Sequence, residues 1–136
     1  MDFKVYEHKT QYYETDQMGI IHHSNYIRWF EEARSDMLEQ LGIGYAYMEK
    51  LGIVSPVLSV SAEYKSMTRY GDTVRIIASV EQFDGVRLHL TYRIEDKETG
   101  ELRATGESRH CFLYQGHPIS LKRRFPRVQE LLESCL

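Results

Sequence analysis

Residues 13 to 26 read YETDQMGIIHHSNY: an acid at Asp16, a glycine at 19 and adjacent histidines at 22 and 23, directly ahead of a strongly helical stretch. A loop carboxylate can act as a general base on water, or attack a carbonyl itself and form a mixed anhydride. The start of a helix offers unpaired N–H groups and a positive dipole end, both of which favour a developing anion. Acid–base or acyl-transfer chemistry can draw on such parts, and the residues alone leave the reaction open. The backbone N–H of His23, joined by that of Ser24, is the candidate donor toward an oxyanion. Gly19 lets the chain turn sharply, so that the loop folds back over the helix terminus. The His23 side chain has three open roles: shaping the pocket by hydrogen bonding, moving a proton near neutral pH, or packing. His22 reads as a surface or substrate-edge side chain. A plainer reading of Asp16 is a turn aspartate, since loops favour that residue type.

A metal site would recruit Asp16, His22 and His23. Adjacent histidines tend to diverge, helical ligand pairs sit at i and i+4, and no further His/Cys cluster lies near in the sequence. Neither a metal nor a cofactor is therefore expected. No phosphate-cradling glycine motif occurs either, because LGIGYAYMEKLG does not follow a strand in the required way.

The elements that must position these residues follow from periodicity. Residues 3–13 read as a first strand. From Asn25 to Leu41, apolar residues recur every three or four positions (Tyr26, Phe30, Ala33, Met37, Leu41), with Arg28, Glu31, Glu32, Ser35 and Asp36 on the other face. Ser24 or Asn25 can serve as N-cap and Gly42 as C-cap. A short helix is expected over 45–52. After Pro56 the period becomes two: Leu58, Val60, Ala62 and Tyr64 alternate with polar residues, then Val74 to Val80, then Leu88 to Ile94. Asp84-Gly85 and the KETG run at 97–100 are hairpin turns. The last strand, 101–114, carries an inward series of mostly small residues at Leu102, Ala104, Gly106 and Ser108, leaving room for another element to come close. The expected fold class is α+β, an antiparallel five-stranded sheet wrapped around one long central helix. Its other face and open edges suit pairing with another subunit. A C-terminal helix, 126–134, is expected outside this core of about 3–115.

The 136 residues have the length of a single domain, 1–136. A net charge of −3 argues against general nucleic-acid binding, and the KRRF cluster at 122–125 reads as a solvated helix start. Two cysteines, 111 and 135, form no disulfide framework. Without a leader-like segment or an apolar run long enough for a membrane span, a cytoplasmic protein is expected.

Two stretches, YYETDQMGIIHHSNYIRWFEEAR (12–34) and YKSMTRYGDTVRI (64–76), carry a resemblance. With the element order, they resemble the hotdog fold and, more narrowly, the 4-hydroxybenzoyl-CoA thioesterase and Tol–Pal-associated acyl-CoA thioesterase family. The resemblance implies hydrolysis of an acyl-CoA thioester to free acid and CoA, with Asp16 as the catalytic carboxylate and His23 as the residue whose amide meets the thioester oxygen. Gly19, His22, Ser24 and Tyr26 then border the substrate pocket. It further implies CoA held at a subunit interface of a homodimer or homotetramer, with Lys65, Arg69 and Arg87 as the best basic candidates for its phosphates. Glu31 and Glu32 read as solvated, although one of them could face an active site across a dimer interface, since related hotdog enzymes sometimes use a helix carboxylate. His22 stands where that family often has tyrosine, and Met18 where it often has a smaller residue. The acyl group is left open, as is CoA against acyl-carrier protein. Two rival readings are a hotdog hydratase or dehydratase, which would release no free CoA, and a binding module that turns nothing over.

Overall fold

In the computed structural model, which describes residues 2–136, the long helix α1 runs Ser24–Leu41 and lies against a five-stranded antiparallel sheet. That sheet contains β1 (Tyr6–Lys9), β3 (Val57–Tyr64), β4 (Thr73–Phe83), β5 (Arg87–Asp96) and β6 (Leu102–Cys111), in the order β1-β4-β5-β6-β3. A short helix, α2 (Tyr45–Lys50), precedes β2 (Ile53–Val54), which joins β7 (Leu113–Tyr114) and β8 (His117–Pro118) in a small second sheet absent from the sequence expectations. Two terminal helices, α3 (Leu121–Arg124) and α4 (Pro126–Glu133), complete the chain.

Periodicity becomes packing most directly in the middle strands. Val74, Ile76 and Val80 of β4 and Leu88, Leu90, Tyr92 and Ile94 of β5 are buried against Trp29, Phe30, Met37 and Leu38 of α1. Each such side chain contributes about 1.5–3 kcal/mol of transfer free energy. The small residues of β6 do what their size allows. A methyl group at Gly106 would collide with the Phe30 ring and with the backbone oxygen of Ser61, so glycine there lets the helix settle onto the sheet. The Phe30 ring instead stacks on Tyr92, centroids 4.5 Å apart. The helix closes where expected: Gly42 takes a left-handed conformation (φ 83°) and the Ile43 N–H reaches the Leu38 carbonyl at 3.0 Å.

Several expectations need correction. β1 covers only Tyr6–Lys9 rather than 3–13, because Glu14 accepts the Gln11 N–H (2.7 Å) and bends residues 12–14 into a 3-10 turn. The last strand stops at Cys111, not 114; Phe112 is buried, and the chain after it turns into the second sheet. Leu58, Val60 and Tyr64, read as an inward face, are 49%, 41% and 48% exposed, because β3 is one of the two edge strands of the sheet. The C-terminal helix does not lie outside the core. Leu121, Val128 and Leu132 are buried as part of it. Arg34, on α1, is buried too, donating to Tyr45 (2.8 Å) and Tyr92 (3.0 Å).

Candidate active site

The loop from Thr15 to Ile21 is a tight reversal. Thr15 and Ile21 pair across it, the Asp16 N–H donates to Ile20 O (2.9 Å) and the Gly19 N–H to Asp16 O (3.0 Å). Gly19 sits at φ 78°, a conformation that glycine adopts without steric cost. The Met18 N–H donates to Asp16 Oδ1 at 2.8 Å. Asp16 Oδ2 has no partner among the described residues. Asp16 is thus a turn aspartate and a partly exposed carboxylate with one oxygen free. The two readings of it are compatible.

Glu14, unassigned in the sequence, holds this loop in place. Its buried carboxylate accepts from His8 Nε2 (2.8 Å), the Gln11 N–H (2.7 Å) and Trp29 Nε1 (2.8 Å). Burial pushes this carboxyl up, but the hydrogen bonds from His8, Gln11 and Trp29 prevail and hold it below the usual range. The Glu14 carbonyl accepts from the His22 N–H (2.8 Å) and from Asn25 Nδ2 (2.9 Å).

The amides at the start of α1 can be accounted for singly. His22 N–H goes to Glu14 O, Asn25 N–H to His22 O (3.0 Å) and Tyr26 N–H to His23 O (3.3 Å). Ser24 N–H goes to His22 Nδ1 (3.2 Å), and Ser24 Oγ lies 2.8 Å from the same nitrogen while accepting from Arg28 (2.9 Å). The His23 N–H alone in this group finds no acceptor among the described residues. Neither Ser24 nor Asn25 is the N-cap. That position is His23, whose own side chain makes no capping bond, and the capping acceptor is His22 from one residue outside. Ser24 is therefore corrected as an oxyanion donor, since its amide is occupied. The histidine rings do not diverge but stack, centroids 4.2 Å apart.

Asp16, His23, Tyr26, Lys65 and Arg69 line one cleft of about 870 Å³, together with Tyr64, Met67 and Arg103. Tyr26 donates to Thr68 Oγ1 (3.1 Å), and Tyr64 donates to His23 O (3.2 Å), its ring 5.2 Å from that of Tyr26. Lys65 pairs with Glu63 (3.0 Å), whereas the Arg69 guanidinium pairs with no carboxylate among the described residues. Arg103, held by Asp96 (3.2 Å) and Glu101 (3.4 Å), borders the same cleft. His22 and Ser24 line a neighbouring cleft of about 550 Å³, with Asp16 in both walls. Arg87 is not brought to this place; it lines a separate cleft beside the Asp84 turn. Glu31 is solvated, and Glu32 accepts from Tyr6 (2.7 Å). Met18, Met48, Met67 and several tyrosines suggest an adaptable apolar pocket or core from the sequence, and the structure places Met18, Met67 and Tyr64 on this cleft while Met48 is buried in the core. No spacing in the sequence links Glu14 to His8 or Trp29.

Residues 10–132 match the family model described as the thioesterase-like superfamily. The chain is 35% identical over 122 residues to the "Putative acyl-CoA thioesterase YneP" of Bacillus subtilis (strain 168), covering 88% of each. It is 26% identical over 113 residues to a 1,4-dihydroxy-2-naphthoyl-CoA hydrolase of Thermosynechococcus vestitus, covering 82% of this chain and 77% of that protein. Among solved structures, a DHNA-CoA thioesterase from Staphylococcus aureus superposes with a TM-score of 0.89 at 38% identity, covering 96% of this chain and 88% of the other.

Proposed function

The chain belongs to the thioesterase-like superfamily and is a hotdog-fold thioester hydrolase, and we propose that its reaction centres on Asp16 and the His23 amide. The observation that carries this reading is the open N–H of His23 at the start of α1, on a residue that lines the same cleft as Asp16. Asp16 takes a proton from water as the hydroxide adds to the thioester carbonyl carbon. Negative charge gathers on the carbonyl oxygen and is met by the His23 N–H and the positive end of α1. The C–S bond then breaks, CoA leaves as thiolate and takes up a proton, and the acid is released. Attack by Asp16 itself, through a mixed anhydride that water then opens, uses the same two groups. A positioned base contributes about 10²–10⁴-fold, and one oxyanion donor about 10²–10³-fold.

Tyr26 and Tyr64 form the acyl side of the pocket and Lys65 and Arg69 the phosphate side in this proposal; Arg87 joins them only if a second copy brings it. Homodimers or tetramers of such copies are supported by the exposed edge of β3, whose Tyr64 end borders the cleft. A single domain in the cytoplasm accords with two free cysteines, and no helix is long and apolar enough to cross a membrane among the described residues. The narrower branch, near the 4-hydroxybenzoyl-CoA and Tol–Pal-associated enzymes, is supported by the 12–34 motif. Relatives named for dihydroxynaphthoyl-CoA widen the choice of aromatic acyl groups to be tried.

A panel of short-chain, long-chain and aromatic acyl-CoAs, with one acyl-carrier-protein thioester, tests the reading through a thiol reagent. One free thiol per acyl group released is the expected result. Substrate conversion without thiol release, or binding without conversion across the panel, would contradict it.

A further inference from the structure

Both ends of the Asp16 loop meet on one residue. On the entry side stands Glu14; on the exit side, the His22 N–H and the Asn25 side chain both bond the Glu14 carbonyl. The Glu14 carboxylate is then fixed from three elements at once: His8 of β1, the Gln11 amide of the turn and Trp29 of α1. His8 is itself fixed. Its ring lies 4.9 Å from that of Trp29, and its Nδ1 is 3.6 Å from Glu32, which also accepts from Tyr6.

We propose that Glu14 is a positioning residue for the hydrolysis, its clamped carboxylate and carbonyl together setting where Asp16 stands relative to the open His23 amide. This rests on the reading of Asp16 and His23 given above. Glu14 touches no reacting atom; it acts through the loop. The carboxylate suits the task because both of its oxygens accept. An amide in its place would turn an NH₂ toward either the Gln11 N–H or the Trp29 indole N–H, donor against donor. The clamp would open on one side, and the Glu14 carbonyl, which still accepts from His22 and Asn25, would no longer be held in a fixed place.

Glu14→Gln, His8→Phe and Asp16→Asn, assayed side by side well below each melting midpoint, test the proposal. His8→Phe keeps a ring over Trp29 but removes one donor to the carboxylate. E14Q is expected to lower kcat by about 10- to 100-fold, since a misplacement of 1 Å can cost that much. Its KM for an acyl-CoA should move by less than about threefold, because the lost alignment matters at the transition state rather than in binding. H8F should show the same split with a smaller fall in kcat. Wild-type kcat in both variants, whatever happens to KM, overturns the proposal while leaving the Asp16 reading intact if D16N is inactive. A fully active D16N removes the reading and the proposal together. Should E14Q fail to fold, H8F decides: a lower kcat at unchanged KM supports the clamp, and wild-type kcat overturns it.

Discussion

His22 and His23 differ by atoms rather than by side-chain type. His22 gives a ring nitrogen to the Ser24 amide, while His23 keeps a backbone N–H without an acceptor. The sequence pointed to the His23 amide because a helix start follows it, but the capping by His22 depends on a ring orientation that no spacing encodes. A third histidine matters for stability. His110 is buried beside Ser108 (2.7 Å) in a chain that runs through Tyr92 to Arg34. Burial, and then the Arg34 charge, push its pKa down from 6.5 to about 4. A histidine depressed in the folded state stabilises nothing by titration above the unfolded value, where both states are neutral. As pH falls from about 6.5 to about 4, the unfolded chain takes up a proton that the fold refuses, so stability is lost across that window. Of the loss between pH 7 and pH 5 read by urea unfolding, His110 should account for about 2 kcal/mol. His110→Gln, which cannot titrate, should lose most of that slope; an unchanged slope would count against the assignment.

Among the elements, α1 and the strands on either side of the Asp84-Gly85 turn were legible because their periods of 3.6 and 2 coincide with burial. β3 had the same alternation, yet its outer position in the sheet leaves the apolar residues half exposed. Alternation records a possible face, and only the strand order decides what covers it. The site was legible to a similar extent. Asp16 and His23 stand in one short motif, whereas Glu14 works through His8 on β1 and Trp29 on α1, contacts created by the fold. The exposed β3 edge leads to a prediction of its own. Val60→Lys, a charge in the middle of the strand, is the kind of substitution that blocks edge-to-edge pairing. Light scattering should find the wild type as a dimer or larger and V60K shifted toward monomer. An assembly state unaffected by V60K would move the expected interface elsewhere.

At the scale of the molecule, the sheet and helix bring a turn carboxylate, a helix start, Arg103 and two of the three basic candidates, Lys65 and Arg69, to one cleft. The third basic candidate, Arg87, lies in another. The C-terminal helices pack into the core through Leu121, Val128 and Leu132, and none of their residues lines the site cleft. Family membership and fold make the chain a thioester hydrolase, and the proposed chemistry turns on a single carboxylate. The most direct test is therefore the steady-state rate of Asp16→Asn on the best acyl-CoA of the panel. Asparagine retains an oxygen for the Met18 amide, so the loop and the substrate affinity should persist. The expected result is a kcat lower by about 10²–10⁴-fold with an unaltered melting midpoint. Hydrolysis by D16N at the wild-type rate would contradict it.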